Sequence, residues 1–184
     1  IFKVFKKLYK MKIIKTPIKD LLIICNVIHK DKRGYFKELL EEKSINKKFP
    51  FVVMSYSKKN VIRGLHIQKK NTQGKFVSVL KGKIFDVVID LRAKSKTFGH
   101  KYSTILSEKN SKSLYIPEGF AHGFCSLENN NYVIYSCTNY RNQQSEVGID
   151  INDKDLNIKW PVKYPILSNK DKQNISLKKY LQLL

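Results

Sequence analysis

Residues 75–92, KFVSVLKGKIFDVVIDLR, carry the pattern on which the fold turns. The first half alternates: Phe76, Ser78 and Leu80 fall on one face of an extended chain, Val77 and Val79 on the other. Gly82 supplies a turn, and KIFDVVIDLR follows as a second run rich in β-branched residues. Segments of the same kind recur downstream: STILSE (103–108), SKSLYIPEG (111–119), AHGFCSL (121–127) and YVIYSCTNY (132–140). Short period-two strands at this spacing, punctuated by glycine, asparagine and proline, predict an all-β sandwich or barrel. Helical signal is weak. FKELLEEKSI (36–45) predicts one turn or more, and SLKKYLQLL (176–184) a terminal helix. No repeat, linker or shift in composition divides the chain, so residues 11–184 read as a single domain. IFKVFKKLYK (1–10) reads as a basic extension with little order, with Met11 as the expected natural start.

Hydrophobic residues make up 42% of the 184-residue chain, enough for a sizeable core and against disorder. No apolar run approaches the roughly 20 residues of a membrane-spanning helix. The opening residues lack the uninterrupted apolar core and cleavage site of a signal peptide, which points to the cytoplasm and away from a membrane. The 3 cysteines (Cys25, Cys125, Cys137) are odd in number and form no CxxC pair, so they read as free thiols in a reducing compartment. A net charge of +21 raises the question of nucleic acid. The lysines, however, are spread along the chain in pairs such as Lys58-Lys59 and Lys178-Lys179, and no nucleic-acid-binding motif accompanies them. A solvated lysine-rich surface is the better reading, and no nucleic-acid partner is expected.

Against 32 lysines stand 4 arginines, so an arginine is less readily a neutral surface choice. One of them opens RGLHIQ (63–68), three residues before His66. A second histidine, His122, lies in PEGFAHGF after a proline-glycine turn. Tyr135 lies on YVIYSCTNY, facing the same way as Val133 and Cys137, and Lys75 opens a strand directly after Gly74. LSNKD ends in Lys170 and Asp171. There is no nucleophile elbow, nucleotide-cradling glycine loop, HxH or HxxxH. What remains is histidine, tyrosine, lysine and aspartate, a set suited to moving protons.

KDKRGYFKE, VIRGLHIQ, QGKFVSVLKGKIFDVVIDLR, SKTFG, LYIPEGFAHGF, YSCTNY and WPVKYPILSNKD follow one another in an order and spacing that resembles the dTDP-4-dehydrorhamnose 3,5-epimerases. The likeness runs from about residue 13 to residue 175. It implies a cupin-type (jelly-roll) β-sandwich with short flanking helices, acting as a homodimer without metal or cofactor. The implied substrate is a dTDP-linked 4-keto-6-deoxyhexose, inverted at the carbons flanking the ketone on the way to dTDP-rhamnose and surface polysaccharide. A C–H beside a carbonyl is acidic because the charge spreads onto oxygen, and inversion needs a base on one face and an acid on the other. By resemblance His66 is the base, Asp171 its partner, Tyr135 the opposite-face acid, and Lys75 the cation at the enolate oxygen. Arg33, Glu38, Arg63, His122, Glu146 and Lys170 stand at the family's substrate-binding positions, where a guanidinium can hold phosphate oxygens bidentately. Arg92 also lies in a family motif and reads as structural.

Two points resist this reading. On a regular strand Arg63 and His66 face opposite ways, so either Gly64 introduces a bulge or Arg63 reaches the phosphates from the rim. The family also carries QDN shortly before its RGLH, whereas here Phe51, Val52 and Val53 stand at those positions. That leaves a single-centre 3-epimerase or a ketoisomerase on a related nucleotide sugar as the alternative within the enzyme class. From another class the rival is a non-catalytic basic β-sandwich binding nucleic acid. A metal-dependent cupin oxygenase lacks the clustered histidine ligands it would need.

Overall fold

A computed structural model describes residues 11–183, so the expectation for residues 1–10 lies outside the described residues. The first strands are β1 (Lys12–Lys15), β2 (Leu22–Cys25), β3 (Ile28–Asp31), β4 (Gly34–Lys37), β5 (Phe51–Ser57) and β6 (Ile62–Gln68). They continue with β7 (Lys75–Lys81), β8 (Lys83–Asp90), β9 (Lys101–Ser107), β10 (Lys112–Ile116), β11 (Phe120–Ser126), β12 (Asn131–Cys137) and β13 (Glu146–Gly148). A six-stranded sheet in the order β1-β2-β10-β7-β12-β5 faces a five-stranded sheet in the order β13-β6-β11-β8-β9, and β3-β4 forms a separate hairpin. This is the β-sandwich that the alternating runs predict.

Val77, Val79, Ile84, Val88, Leu106, Leu114, Phe124 and Val133 meet between the sheets and form the main core. The opposite face of each sheet is covered as well. Phe76, on the outer face of β7, packs edge-on against Phe49 at 6.1 Å between ring centroids, and Tyr115 joins the same cluster. Behind the five-stranded sheet, Leu65, Ile67, Val87 and Ile89 are covered by the C-terminal segment through Ile149, Leu156 and Tyr180. Both faces being buried explains why both faces of these strands carry apolar residues, most plainly in DVVIDL.

Of the one turn or more expected within 36–45, a single turn forms, at the end of the stretch. Phe36 and Lys37 belong to β4, whose residues pair with Ile28–Asp31, and only Glu42–Ile45 form a helix, α1. A one-turn helix has paid its nucleation cost for almost no propagation. Glu41 adds no side-chain cap, and Asn46 ends the turn in the left-handed conformation with φ 55°. The hairpin offers residues 34–37 a full set of partners instead. At the C-terminus, α2 (Leu177–Leu181) forms where expected. Ser176 caps it by accepting from the Lys179 amide at 3.2 Å, and Tyr180 anchors it to the sheet.

Candidate active site

A cavity of about 370 Å³ opens between the two sheets, lined from both. The five-stranded sheet contributes Arg63, His66, His122 and Glu146, and the six-stranded sheet Phe51, Val53, Lys75, Tyr135 and Cys137. The return of the chain adds Ser168, Lys170 and Asp171.

The difficulty over Arg63 and His66 is resolved by a bulge. In the β6–β11 pairing His66 faces His122 and Arg63 faces Phe124, so the step from 63 to 66 is matched by the shorter step from 122 to 124. The extra residue on β6 turns both side chains to the same cavity. Gly64 makes this possible: its φ is +107°, and a Cβ there would lie 2.6 Å from the His122 carbonyl oxygen and 2.8 Å from the Gly123 Cα. A Cβ on Gly123 would in turn meet the Arg63 carbonyl oxygen at 2.7 Å. The two backbones touch where the bulge needs them to.

His66 Nε2 lies 2.6 Å from Asp171 Oδ1, although the residues are 105 positions apart. Asp171 is buried at the start of a 3₁₀ turn and donates its backbone N–H to Ser168 Oγ at 3.1 Å. Burial pushes its carboxyl up, but His66, Ser168 and Lys170 together outweigh this and hold it below the usual carboxylate range. An ionised carboxylate only accepts, so Nε2 carries the proton and Nδ1 is left as the basic nitrogen. Across the cavity Tyr135 shares a hydrogen bond of 3.2 Å with Ser55 Oγ. Burial pushes its hydroxyl well above the ordinary tyrosine value, so at neutral pH it holds its proton and can donate it. Lys75 stands opposite Cys137 in the register, and burial lowers its ammonium pKa against the opposing pull of Cys137, Glu146 and Asp86.

The remaining residues divide. Arg63 donates from Nε to Ser57 Oγ at 2.9 Å and from Nη2 to the Tyr56 carbonyl at 2.8 Å, which pins the guanidinium beside the cavity. Glu146 accepts from Lys170 and from Arg141 Nη2, the latter at 3.0 Å; burial raises its pKa but these two cations more than reverse the effect. Arg33 and Glu38 are not brought to this cavity. Arg33 lies in the β3–β4 turn with Nη2 2.6 Å from Asp31, and Glu38 lies 3.4 Å from His29. Arg92 is structural as read: it bonds Asp90 and Asp20 and covers the Phe120 ring at 4.7 Å. Of the replaced positions, Phe51 and Val53 line the cavity, whereas Val52 is 54% exposed on the other face.

Sequence reasoning missed three neighbours of these groups. Ser55 is an ordinary strand serine until its hydroxyl is seen on Tyr135. Arg141 lines the cavity, and its rarity as an arginine was the available signal. Asp86 is fully buried and bonds His122 Nε2 at 2.8 Å through Oδ2. An aspartate in phase with Ile84 and Val88 carried a signal in being polar on an interior face.

The profile of the dTDP-4-dehydrorhamnose 3,5-epimerase family matches residues 15–179. A dTDP-4-dehydrorhamnose 3,5-epimerase of Shigella flexneri is 43% identical over 168 residues, covering 88% of this chain and 93% of the relative. Among solved structures, the Legionella pneumophila dTDP-6-deoxy-D-glucose-3,5-epimerase in complex with dTDP-4-keto-L-rhamnose superposes with a TM-score of 0.88 at 41% identity, covering 92% of this chain and 94% of that one. A 3'-monoepimerase of Streptomyces bikiniensis, in complex with dTDP-quinovose, superposes with a TM-score of 0.85 at 27% identity, covering 91% and 89%. With residues 15–179 matched by the family profile and the same fold and most of the chain shared with these relatives, the chain belongs to the dTDP-4-dehydrorhamnose 3,5-epimerase family.

Proposed function

We propose that this protein inverts the carbons flanking the ketone of a dTDP-linked 4-keto-6-deoxyhexose, in the cytoplasm and without a cofactor. One observation carries the reading: a carboxylate-held imidazole and a protonated phenol stand on opposite sheets with a single cavity between them. A sugar ring lying in that gap presents one face to each. His66 Nδ1 takes the proton from the carbon beside the carbonyl, and the electron pair moves onto the ketone oxygen as an enolate. Lys75, at the same cavity, is the cation assigned to that oxygen. Tyr135 then gives its proton to the other face, which leaves the carbon inverted, and both groups regain their starting states through solvent. Arg63 and Lys170 supply positive charge for the diphosphate, and Arg141 adds a third cation at the same cavity. The test is incubation with dTDP-4-keto-6-deoxyglucose in deuterated water, counting deuterons gained by the sugar. Two are expected. None, together with salt-sensitive retention on DNA, would favour a nucleic-acid-binding sandwich instead.

A homodimer suits the residues that lie outside the cavity. The β3–β4 hairpin bearing Arg33 exposes Tyr35 and Phe36, and edge strand β5 exposes Val52, Met54 and Tyr56. A second copy covering this apolar surface removes it from water and lets Arg33 and Glu38 serve the partner's cavity. Sedimentation as a monomer at micromolar concentration would count against this.

A second reading, uneven inversion, is favoured by Val53. It lies directly opposite Tyr135 in the β5–β12 register and presents an apolar wall where the family carries an amide. Two inversions require the ring to be held well in two successive orientations, and near-attack geometry tolerates little slack. Labelling faster at carbon 3 than at carbon 5 is expected, with Val53→Asn narrowing the gap. Equal rapid labelling of both carbons would restore the plain double epimerase.

A further inference from the structure

Asp86 stands on β8 with its side chain turned between the sheets, fully buried beside Phe124 and Val88. Neighbours in that layer are Ile84, Leu106 and Val133, so the position would suit an aliphatic residue. Burying a carboxylate there is costly unless it is paired. Half of it is: Oδ2 lies 2.8 Å from His122 Nε2, while Oδ1 has no hydrogen-bond partner among the described residues. His122 is itself 4% exposed, and its ring borders the cavity directly opposite His66 in the β6–β11 register. An ionised carboxylate has no proton to give, and a neutral imidazole has one N–H to give and one lone pair. With the carboxylate as acceptor in this contact the hydrogen sits on Nε2, and a neutral ring then keeps Nδ1 as the acceptor.

We propose that Asp86 is a positioning residue that locks the tautomer of His122, so that Nδ1 meets the bound sugar as a hydrogen-bond acceptor and selects for a hydroxyl beside the ketone. This rests on the reading of the cavity as a nucleotide-sugar site. The register places His122 next to the base, so the hydroxyl it reads is one close to the carbon under attack. A buried acceptor left without its donor is penalised, which is how such a site rejects a deoxy analogue. Asparagine at 86 would release the lock, because its amide can donate to Nε2 as well as accept from it.

The experiment has two arms on the full chain. In the first, long-range proton–nitrogen spectra of histidine-labelled protein report the tautomer, with the His122 signals identified by their loss in His122→Gln. The wild type is expected to carry its proton on Nε2, and Asp86→Asn to move part of it to Nδ1. A wild-type ring protonated on Nδ1, or on both nitrogens, at neutral pH overturns the proposal, and this holds even if the asparagine variant does not fold. In the second arm, calorimetry compares a dTDP-4-keto-6-deoxyhexose with its 3-deoxy analogue. Wild type should prefer the hydroxylated sugar by about tenfold, the scale of one hydrogen bond, and Asp86→Asn should lose most of that preference. Binding of both sugars with unchanged discrimination in the variant overturns the selection role alone. Failure of the wild type to bind either sugar overturns the nucleotide-sugar reading and the selection with it, while the tautomer result stands by itself.

Discussion

Replacing Asp171 by asparagine keeps the shape of the His66 partner and removes its charge. In the wild type the 2.6 Å contact joins a buried carboxylate to a ring nitrogen, a bond that gains strength as His66 takes up the substrate proton and becomes cationic. A hydrogen bond to a charged group contributes about 1.5–3 kcal/mol. Because the charge on His66 develops on the way to the enolate, most of that difference falls on the barrier, and at about 1.4 kcal/mol per decade it predicts exchange slowed roughly 10- to 150-fold. A second effect points the same way. The asparagine amide can donate to Nε2, which would put the ring proton on Nδ1 and remove the basic lone pair from the cavity. The assay is deuterium uptake by the sugar in deuterated buffer, with dTDP affinity measured alongside to show that the cavity persists. The pH dependence of stability supplies a further check. Asp171 has a depressed carboxyl, so its contribution is fully present above the unfolded value of about 3.9 and is lost as pH falls through the lower folded value. The wild-type advantage over the variant should therefore disappear in acid. Exchange within twofold of wild type at neutral pH, with normal dTDP binding, would refute the assignment of Asp171 as the group that holds the base.

His66→Ala should abolish deuterium uptake, a loss of roughly 10² to 10⁴-fold, while dTDP binding stays near normal. Tyr135→Phe keeps the ring and removes the proton donor, so exchange measured by mass should exceed inversion measured by product analysis; a parallel fall in both would assign Tyr135 another role. Arg63→Lys loses the bonds to Ser57 and Tyr56 that fix the fork, and calorimetry with dTDP should show binding weaker by about 1–3 kcal/mol. Gly64→Ala puts a Cβ against the His122 carbonyl at positive φ, and denaturant unfolding should show a loss of about 3 kcal/mol or more.

Strand identity was largely legible in the sequence because a sheet residue advertises its face locally. Val77 and Val79 alternate with Phe76 and Ser78, and a period of two survives whatever the sheet packs against. Motif residues such as His66, His122 and Tyr135 were legible for a different reason, a resemblance that spans the chain. The turn at Glu42–Ile45 was legible too, but the strand at Phe36 and Lys37 was not. The pattern of Leu39, Leu40 and glutamates that follows favours a helix, and β4 exists because Ile28–Asp31 lie alongside to pair with it. Pairing between segments is a property of their meeting, and no window on one of them contains it.

The same distinction divides the site. Sequence alone determined which chemistry this protein carries, since the kinds of side chain available to move a proton are written in its letters. Tertiary structure decided which of them meet. Asp171 reaches His66 across 105 residues through the return of the C-terminal segment, and Arg63 shares a cavity with His66 because a bulge at Gly64 breaks the strand's parity. Arg33 and Glu38 match a motif yet lie outside that cavity, whereas Asp86 lies in a family-like stretch without having been singled out and pairs with His122 in the interior. Alternation depends on backbone geometry within a few residues. Proximity depends on how two sheets, a hairpin and a returning segment close over one another, which the backbone geometry of a single strand does not specify.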